Sequence, residues 1–309
     1  MLDEFGDEHI QFSAPDKIEE KAMELASNAS QDVIEKPKRI QSWKLAKEVA
    51  ETVLDSVKSK NGGTIRWSIL EGNIGYLQIN QMIGLANYGI DENATVPEFW
   101  KAYIPIMSKK SVLELTNEEK NGIADLLDKI MPELKNTKGI IVDLRFNGGG
   151  KDEVGLEMLS RFTNEKLMIG TKKAVHNNGF STEVPIFIEG KPNAYSNPIC
   201  ILTSRGSASA TEICVLASLS MKNVTRIGGN TEGITSDMLE KTLPNGWEFS
   251  LSNEIYLSNN DKSYEYIGIT PDIIVYDTDT RNEQYQTIQK GLENKKDLAI
   301  EKAKEKLNG

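Results

Sequence analysis

The sequence predicts an α/β fold of mixed β-sheet and helices, because two strand–turn–helix units follow one another near its centre. Residues 139–144 read GIIVDL, an apolar run typical of a strand buried on both faces, and a glycine turn and the helical pattern of 151–162 follow. Residues 198–203 read PICILT, a second buried strand, and 207–220 form a second helical pattern. Repeated units of this kind favour an α/β core. From residue 224 onward the pattern is β-rich.

Hydrophobic periodicity divides the chain into three predicted parts. Apolar positions three and four residues apart predict helix between residues 15 and 60, with a break at Lys36-Pro37 and an end at Asn61-Gly62-Gly63. The period changes at Thr64, where strand patterns begin. We therefore expect an N-terminal helical subdomain over 1–63, a core over 64–280 and a C-terminal helix over 281–309.

Individual elements within these parts are also predicted. Two short strands are expected over 64–70 and 72–80, and a helix with one apolar face over 117–134. The charged pattern of 281–308 predicts a single helix with a sparse apolar side, formed by Tyr285, Ile288, Leu292 and Leu298.

Composition excludes several classes of function. The chain has 309 residues, of which 39% are apolar and 27% charged, as in globular proteins. Its formal net charge of -10 argues against a nucleic-acid partner, which would require a basic surface. No apolar run approaches the roughly 18 residues of a transmembrane helix. The acidic N-terminus, MLDEFGDEHIQF, has no signal-peptide pattern.

Cysteine and histidine are too scarce for a structural metal site. Cys200 lies in a strand-like run and Cys214 in a helix-like run, so both are expected to be free, buried and inert. The chain contains only two histidines, His9 and His176, and no cysteines at zinc-binding spacing. We therefore expect no metal and no other cofactor, and we expect His176 to be an idle loop residue.

The glycine turn FNGGG (146–150) is open to three interpretations. Gly148, Gly149 and Gly150 can bring bare backbone N–H groups close to a ligand. Such groups form an oxyanion hole in acyl transfer, or they bind phosphate. A purely structural turn is the third interpretation. The phosphate-binding patterns GxxxxGK[ST] and GxGxxG are absent, but the glycines alone do not decide among the three.

The serine turn SRGSAS (204–209) follows the other buried strand, and buried parallel strands deliver their loops to one sheet edge. A serine at a helix N-terminus lies at the positive end of the helix dipole, which favours an oxyanion there. The simpler interpretation is that Ser207 or Ser209 is a helix N-cap. Residue chemistry alone leaves both interpretations open.

Four segments, in order, make the sequence similar to peptidase family S41, the C-terminal-processing or tail-specific proteases. They are GIIVDLRFNGGG (139–150), PICILTSRGSASATEI (198–213), TRIGGNTEG (225–233) and YIGITPDIIV (266–275). The resemblance covers roughly residues 67–280. In that family the middle serine of the second segment is the nucleophile, which implies this role for Ser209.

The general base implied by the resemblance depends on the branch of the family. Members with a Ser-Lys dyad carry a lysine at the position of Ile234, and an alkyl chain cannot accept a proton. The tricorn-like branch instead uses a histidine before the core and a glutamate at Glu-x-x-Gly spacing. These match His9 and Glu265, which implies His9 as base and Glu265 as orienting carboxylate. Tricorn's linking serine is replaced by Glu8.

The resemblance implies roles for several neighbours as well. Backbone N–H groups of Gly149 or Gly150 and of Ala210 would form the oxyanion hole. Glu212 and Thr231 would support the site through hydrogen bonds, whereas Asp143 and Arg145 are expected to shape the glycine turn.

The family implies a ClpP/crotonase-like core. Many members insert a PDZ domain before that core, but only about 55 residues with a helical pattern separate His9 from the first predicted strand, so we expect no PDZ domain here. The implied function is a serine peptidase acting on peptide or protein substrates outside the bacterial cytoplasm. The main alternative is a catalytically weak or inactive protein that binds peptides or lipophiles on the same scaffold. Acyl-CoA chemistry is a weaker alternative, because the sequence shows no sign of a nucleotide-diphosphate site.

Overall fold

The computed structural model describes residues 9–13, 40–176 and 178–309. Glu8 and the helical pattern predicted between residues 15 and 39 lie outside the described residues. The division of the chain into three parts therefore stays a prediction.

Seven helices and fourteen strands are found in the described ranges. The helices are α1 (Ser42–Val53), α2 (Val96–Met107), α3 (Val112–Leu134), α4 (Asp152–Ser160), α5 (Ala210–Ser218), α6 (Arg281–Leu292) and α7 (Leu298–Asn308). The strands are β1 (Gln11–Ser13), β2 (Lys58–Lys60), β3 (Ile65–Leu70), β4 (Ile74–Ile79), β5 (Ile140–Asp143), β6 (Leu167–His176), β7 (Gly179–Phe180), β8 (Val184–Ile188), β9 (Ile199–Thr203), β10 (Val224–Gly228), β11 (Met238–Thr242), β12 (Glu248–Ser252), β13 (Glu254–Ser258) and β14 (Ile273–Ile274).

The largest sheet is mixed, in the order β14-β10-β9-β5-β4-β3-β2. Its strands from β14 to β4 are parallel, and β3 and β2 are antiparallel additions at one edge. Helices α3, α4 and α5 cover one face with a large apolar cluster, and α1, α6 and α7 cover the other. The predicted mixed α/β fold is confirmed.

Two smaller antiparallel sheets lie beside the main one. Strand β1 pairs with β12, which pairs with β11 across the turn at Asn245-Gly246, as that dipeptide predicts. Strand β6 pairs with β13, β7 and β8, and this sheet has no counterpart in the sequence prediction. The first sheet ties residues 11–13 to the β11–β12 hairpin.

The helix predicted over 117–134 begins earlier, at Val112, and the helix predicted over 207–220 is shorter, Ala210–Ser218. The predicted helices near the two ends of the chain differ more. Helix α1 ends at Val53 because Leu54 is extended, and 58–60 form strand β2 instead of continuing the helix. The predicted C-terminal helix is two helices, because Asp297 caps a new helix with its carboxylate. As a result Leu298 is 53% exposed, and its predicted apolar role is wrong.

No helix within the described residues is long and apolar enough to cross a membrane.

Candidate active site

The glycine turn and the serine turn meet at one edge of the main sheet. Strands β5 and β9 are parallel neighbours, so the turns that follow them leave the sheet on the same side. A Cβ built on Gly149 would stand 2.7 Å from the Cβ of Ser209 and 2.9 Å from the carbonyl oxygen of Ala208. Only glycine fits there, and its φ of 109° also favours glycine.

Ser209 has an unusual backbone conformation for a residue with a side chain. It lies at the N-cap position of α5 with φ 55° and ψ -128°, and its side chain makes no capping hydrogen bond. Such conformations cost of order 1–3 kcal/mol and cluster at functional sites. The hydroxyl is therefore held out of the capping position that serine usually adopts.

The other two serines of the turn are structural. Ser204 is fully buried and donates a hydrogen bond of 2.6 Å to the carbonyl oxygen of Arg145. Ser207 is also fully buried, donates to the carbonyl oxygen of Leu144 at 2.9 Å and accepts from the Ser204 N–H at 3.1 Å. Both hydroxyls tie the serine turn to the glycine turn, which leaves Ser209 as the partly exposed serine of the segment.

Asn147 connects the two turns, and the sequence reasoning missed it. Its side-chain N–H donates to the carbonyl oxygen of Ile79 at 3.0 Å, and its Oδ1 accepts from the Gly149 N–H at 3.0 Å. Its carbonyl oxygen accepts from the Ala208 N–H at 3.1 Å. An asparagine directly before three glycines is the sequence feature that could have identified it.

The backbone N–H groups at this edge are not equivalent. The Gly149 N–H is engaged by Asn147, as described above. Among the described residues, the N–H groups of Gly150 and Ala210 have no protein acceptor. Gly150 is held in a bridge with Met82, whose N–H and carbonyl oxygen bond to Gly149 and Lys151 at 2.7 and 2.8 Å. Gly150 and Ala210 can thus donate to a ligand.

A buried ion network lies beneath the glycine turn. Arg145 donates to Asp143 at 2.9 and 2.6 Å, to Asp297 at 2.9 and 2.8 Å and to the Tyr276 hydroxyl at 2.7 Å. Tyr76 donates to Asp143 at 2.7 Å. Burial alone would lower the pKa of Arg145, but the two aspartates outweigh it and hold that pKa well above its ordinary value. This network fixes the turn from below.

Glu212 and Thr231 bond to each other on the side of α5. The Thr231 hydroxyl donates to Glu212 at 2.5 Å and accepts from the Ile269 N–H at 2.6 Å. Glu212 also accepts from the N–H groups of Gly233 and Ile234, both at 2.8 Å. Burial raises the pKa of Glu212 to about 7, although these hydrogen bonds oppose the shift. The pair holds segment 231–234 against the helix that begins at Ser209.

Glu265 is anchored through one oxygen only. Its Oε2 accepts from the N–H groups of Thr235 at 2.7 Å and Ser236 at 3.0 Å, and from the Thr235 hydroxyl. Its Oε1 is buried and has no hydrogen-bond partner among the described residues. A carboxylate in this state has an oxygen available for a further donor.

His9 is buried, with 6% of its surface exposed. Its carbonyl oxygen accepts from the Ser250 hydroxyl at 2.5 Å, and β1 continues the contact along β12. The described contacts therefore link His9 to the β11–β12 hairpin. Glu265 binds Ser236, which lies two residues before that hairpin starts. His9 and Glu265 are thus anchored to one continuous stretch of chain.

A second residue that could not be identified from the sequence, Glu119, fixes the loop beside the glycine turn. Its two oxygens accept from the N–H groups of Gly84 at 3.0 Å, Leu85 at 2.7 Å and Ala86 at 3.1 Å. The Tyr103 hydroxyl donates to it at 2.6 Å. Glu119 is fully buried on α3, so this helix determines the course of the chain just after Met82.

Asp152 belongs to a cluster of charged groups just after the glycine turn. The Tyr256 hydroxyl lies 2.7 Å from Asp152 Oδ2 and 3.1 Å from Asp237 Oδ2. Lys172 pairs with Asp237 at 3.3 Å and with Glu254 at 2.9 Å. Burial first, and the charge of Asp237 second, raise the pKa of Asp152 to about 7.

Comparison with known proteins identifies the family. The model of peptidase family S41 matches residues 73–275, about two thirds of the chain. The chain belongs to peptidase family S41. It is a family of serine peptidases. The matched residues include the two turns, the Thr231 segment and the closing strand on which the resemblance rests, so the predicted membership of the family is confirmed.

Curated relatives from this family match about half of the chain. A carboxy-terminal-processing protease of Bartonella bacilliformis is 30% identical over 156 residues, which are 50% of this chain and 34% of the relative. The carboxy-terminal processing protease CtpA of Bacillus subtilis is 30% identical over 163 residues, which are 53% of this chain and 33% of the relative. The match thus spans about a third of the length of either relative.

Solved structures share the fold. A candidate peptidase from Parabacteroides merdae is 21% identical with a TM-score of 0.66, covering 100% of this chain and 80% of that one. Mature CPAF is 15% identical with a TM-score of 0.54, covering 90% of this chain and 63% of that one. At these identities the comparison concerns the fold alone.

Proposed function

We propose that the protein is a serine peptidase that cleaves peptide bonds through an acyl-enzyme, with Ser209 as the nucleophile. The observation that carries this proposal is the backbone of Ser209, with φ 55° and ψ -128° at the start of α5 and no cap made by its side chain. A strained turn between a strand and a helix presents a serine hydroxyl to substrate, as it does in the nucleophile elbow of other hydrolases.

His9 is the proposed general base and Glu265 the carboxylate that orients it. Support for Glu265 comes from its buried Oε1, which has no hydrogen-bond partner in the described part of the chain and can accept an imidazole N–H. Support for His9 comes from its burial and its anchoring to the hairpin that follows the Glu265-binding segment. Ile234, which stands where a Ser-Lys dyad would have its base, is buried and has an alkyl side chain.

The proposed reaction has two steps. The Ser209 Oγ attacks the peptide carbonyl carbon while its proton moves to His9, and the C–N bond breaks as His9 gives that proton to the leaving amine. Water then attacks the acyl carbon while His9 accepts a proton from it, and the ester C–O bond to Ser209 breaks as His9 returns that proton to the Ser209 Oγ and the peptide acid leaves. The N–H groups of Gly150 and Ala210 stabilise the oxyanion in both steps. Gly149 contributes by allowing the close approach to Ser209. No metal or nucleotide takes part.

Several finer features belong to the same proposal. We expect a ClpP/crotonase-type core, a peptide or protein substrate and a location outside the bacterial cytoplasm. Support for the substrate class comes from the carboxy-terminal-processing proteases that the chain resembles.

A fluorophosphonate probe tests the proposal. We expect the wild-type protein to be labelled, Ser209→Ala to abolish labelling, and His9→Gln and Glu265→Gln to slow labelling at least tenfold. Ser196→Ala is a control, since Ser196 is exposed and lies outside the proposed site. Labelling that survives Ser209→Ala would contradict the nucleophile assignment. If the wild-type protein is folded and binds peptides but is not labelled, the binding-protein alternative is favoured.

A further inference from the structure

A cavity of about 300 Å³ opens beside the glycine turn. We call it the Arg66 pocket, and its walls include Trp43, Arg66, Gln81, Val96, Trp100 and Phe146. Phe146 directly precedes Asn147, and Gln81 directly precedes Met82, which bonds to both sides of Gly150. The pocket and the oxyanion turn therefore share one edge of the main sheet.

Arg66 is a buried cation that has no carboxylate partner among the described residues. It is 6% exposed, and none of the described residues forms an ion pair with it. Glu51 is a carboxylate with an electrostatic effect on Arg66, but it is exposed and forms an ion pair with Lys47 at 3.6 Å. The other deeply buried arginines differ, because Arg145 pairs with two aspartates and Arg226 pairs with Asp272.

The guanidinium of Arg66 is held in place but retains unused donors. Its Nη1 donates to Gln78 Oε1 at 2.8 Å, and its Nη2 lies against Gly63, where the φ of 80° and the missing Cβ leave room for it. A guanidinium has five N–H donors, and its fork matches the two oxygens of a carboxylate. Burying a charge without an ion-pair partner costs free energy. A ligand carboxylate that pairs with Arg66 would offset that cost, because no described residue provides such a partner, and this would favour binding of the ligand.

The remaining walls suit an apolar group next to that carboxylate. Trp43 and Trp100 contribute indole surface, and Val96 and Phe146 add aliphatic and aromatic surface. A volume near 300 Å³ is at the small end of ligand pockets, enough for the end of a peptide rather than for a long segment.

We infer that the Arg66 pocket binds a carboxylate of the peptide in the active site, with Arg66 as the recognition group and the tryptophans around the adjoining apolar side chain. The carboxylate is either the free chain end or an Asp or Glu side chain. The inference rests on the proposed peptidase function for the nature of the ligand, whereas binding itself does not require cleavage.

Binding to the Ser209→Ala protein tests this inference, since this variant cannot cleave. The probes are three peptides labelled with fluorescein at the N-terminus: one ending in Ala-Ala-Leu with a free carboxylate, its C-terminal amide, and an amide with Glu in place of Leu. Affinities come from fluorescence anisotropy. We expect the free acid to bind about 10- to 100-fold more tightly than the Leu amide, as for a hydrogen-bonded charge pair.

Substitutions assign the effect to Arg66. Arg66→Met should remove the preference for the carboxylate, and Arg66→Lys should retain only part of it, because an ammonium cannot make the two-point contact. Lys101→Met removes the same charge from the exposed side of α2, next to Trp100, and should leave the preference unchanged. Circular dichroism melting checks that each variant is folded.

The outcomes distinguish a chain-end carboxylate from a side-chain carboxylate. They also distinguish a failure of the pocket inference from a failure of the proposed peptidase function. Tight binding of the Glu amide that is lost in Arg66→Met would support the pocket and identify a side-chain carboxylate. Equal affinity for all three peptides, an undiminished preference in folded Arg66→Met, or no binding of any peptide would overturn the inference. Fluorophosphonate labelling of wild-type protein is independent of these results, so it shows separately whether the proposed function fails.

Discussion

Gly149 lies so close to Ser209 that a Cβ on the glycine would stand 2.7 Å from the Cβ of the serine. The neighbouring Gly148 is exposed and has no atom within 4 Å of such a Cβ. The two glycines therefore provide a matched pair for testing whether the contact matters for reactivity.

The first prediction concerns this pair. Gly149→Ala should reduce fluorophosphonate labelling at least 100-fold, because the methyl group must displace Ser209 or the backbone of Ala208, and a 1 Å displacement is enough for a loss of this size. Gly148→Ala should stay within about threefold of wild type, since its methyl group meets open space. Labelling rates measured on folded protein decide the matter, and equal rates for both variants would refute the role of the contact.

The second prediction concerns the hydroxyl of Thr231. Thr231→Val should lower the free energy of unfolding by about 1–3 kcal/mol, because it leaves the Ile269 N–H without an acceptor and removes one of the three donors to Glu212. Thr231→Ser retains the hydroxyl, so its free energy of unfolding should fall clearly less than that of Thr231→Val. Urea unfolding of the two variants provides the comparison, and a Val variant as stable as the Ser variant would contradict the prediction.

The third prediction concerns pH. The pKa of Asp152 is about 7 in the folded protein and about 3.9 in an unfolded chain, so its stabilising contribution is complete below pH 3.9 and is lost as the pH rises through 7. Between pH 5 and pH 8, Asp152→Asn should therefore lose about 2 kcal/mol less stability than the wild type. The Asn side chain keeps an acceptor for Tyr256.

Glu212 titrates in the same pH window in both proteins, so the difference between them isolates Asp152. Chemical denaturation at the two pH values measures it. Glu165→Gln removes an exposed carboxylate that is not part of this cluster, and it should follow the wild-type pH dependence. Parallel pH dependence in wild type and Asp152→Asn would disprove the assignment.

The fourth prediction concerns the attachment of α7. Asp297→Asn should destabilise the protein by roughly 3 kcal/mol, because Arg145 loses one of its two buried carboxylates. Asparagine remains a good N-cap, so the capping of Ala299 and Ile300 is retained and the loss reports the charge. Thermal unfolding tests this, and a melting temperature unchanged from wild type would argue against the network.

The sequence allowed the two turns and the parallel strands to be predicted, because buried strands and glycine turns have strong local patterns. Residue chemistry alone could not distinguish a nucleophilic Ser209 from a Ser209 that caps the helix, since both roles place a serine at the start of a helix. The difference lies in the backbone dihedral angles of Ser209, which depend on contacts with Gly149 from a different part of the chain.

Other features depended on long-range partners and were missed for that reason. Glu119 looks like a surface residue of a polar helix in the sequence, yet three backbone N–H groups from residues 84–86 surround it. The break before α7 follows from Arg145, which attracts Asp297 across 152 residues of sequence. Local periodicity carries no information about such pairs.

The most direct test of the central claim is the site of covalent labelling. After reaction with a fluorophosphonate, proteolytic digestion and mass spectrometry should locate the single added mass on Ser209, in the peptide containing SRGSASATEI. Modification of Ser204 or Ser207 instead, or a folded and unmodified wild-type protein, would contradict the claim that Ser209 is the nucleophile.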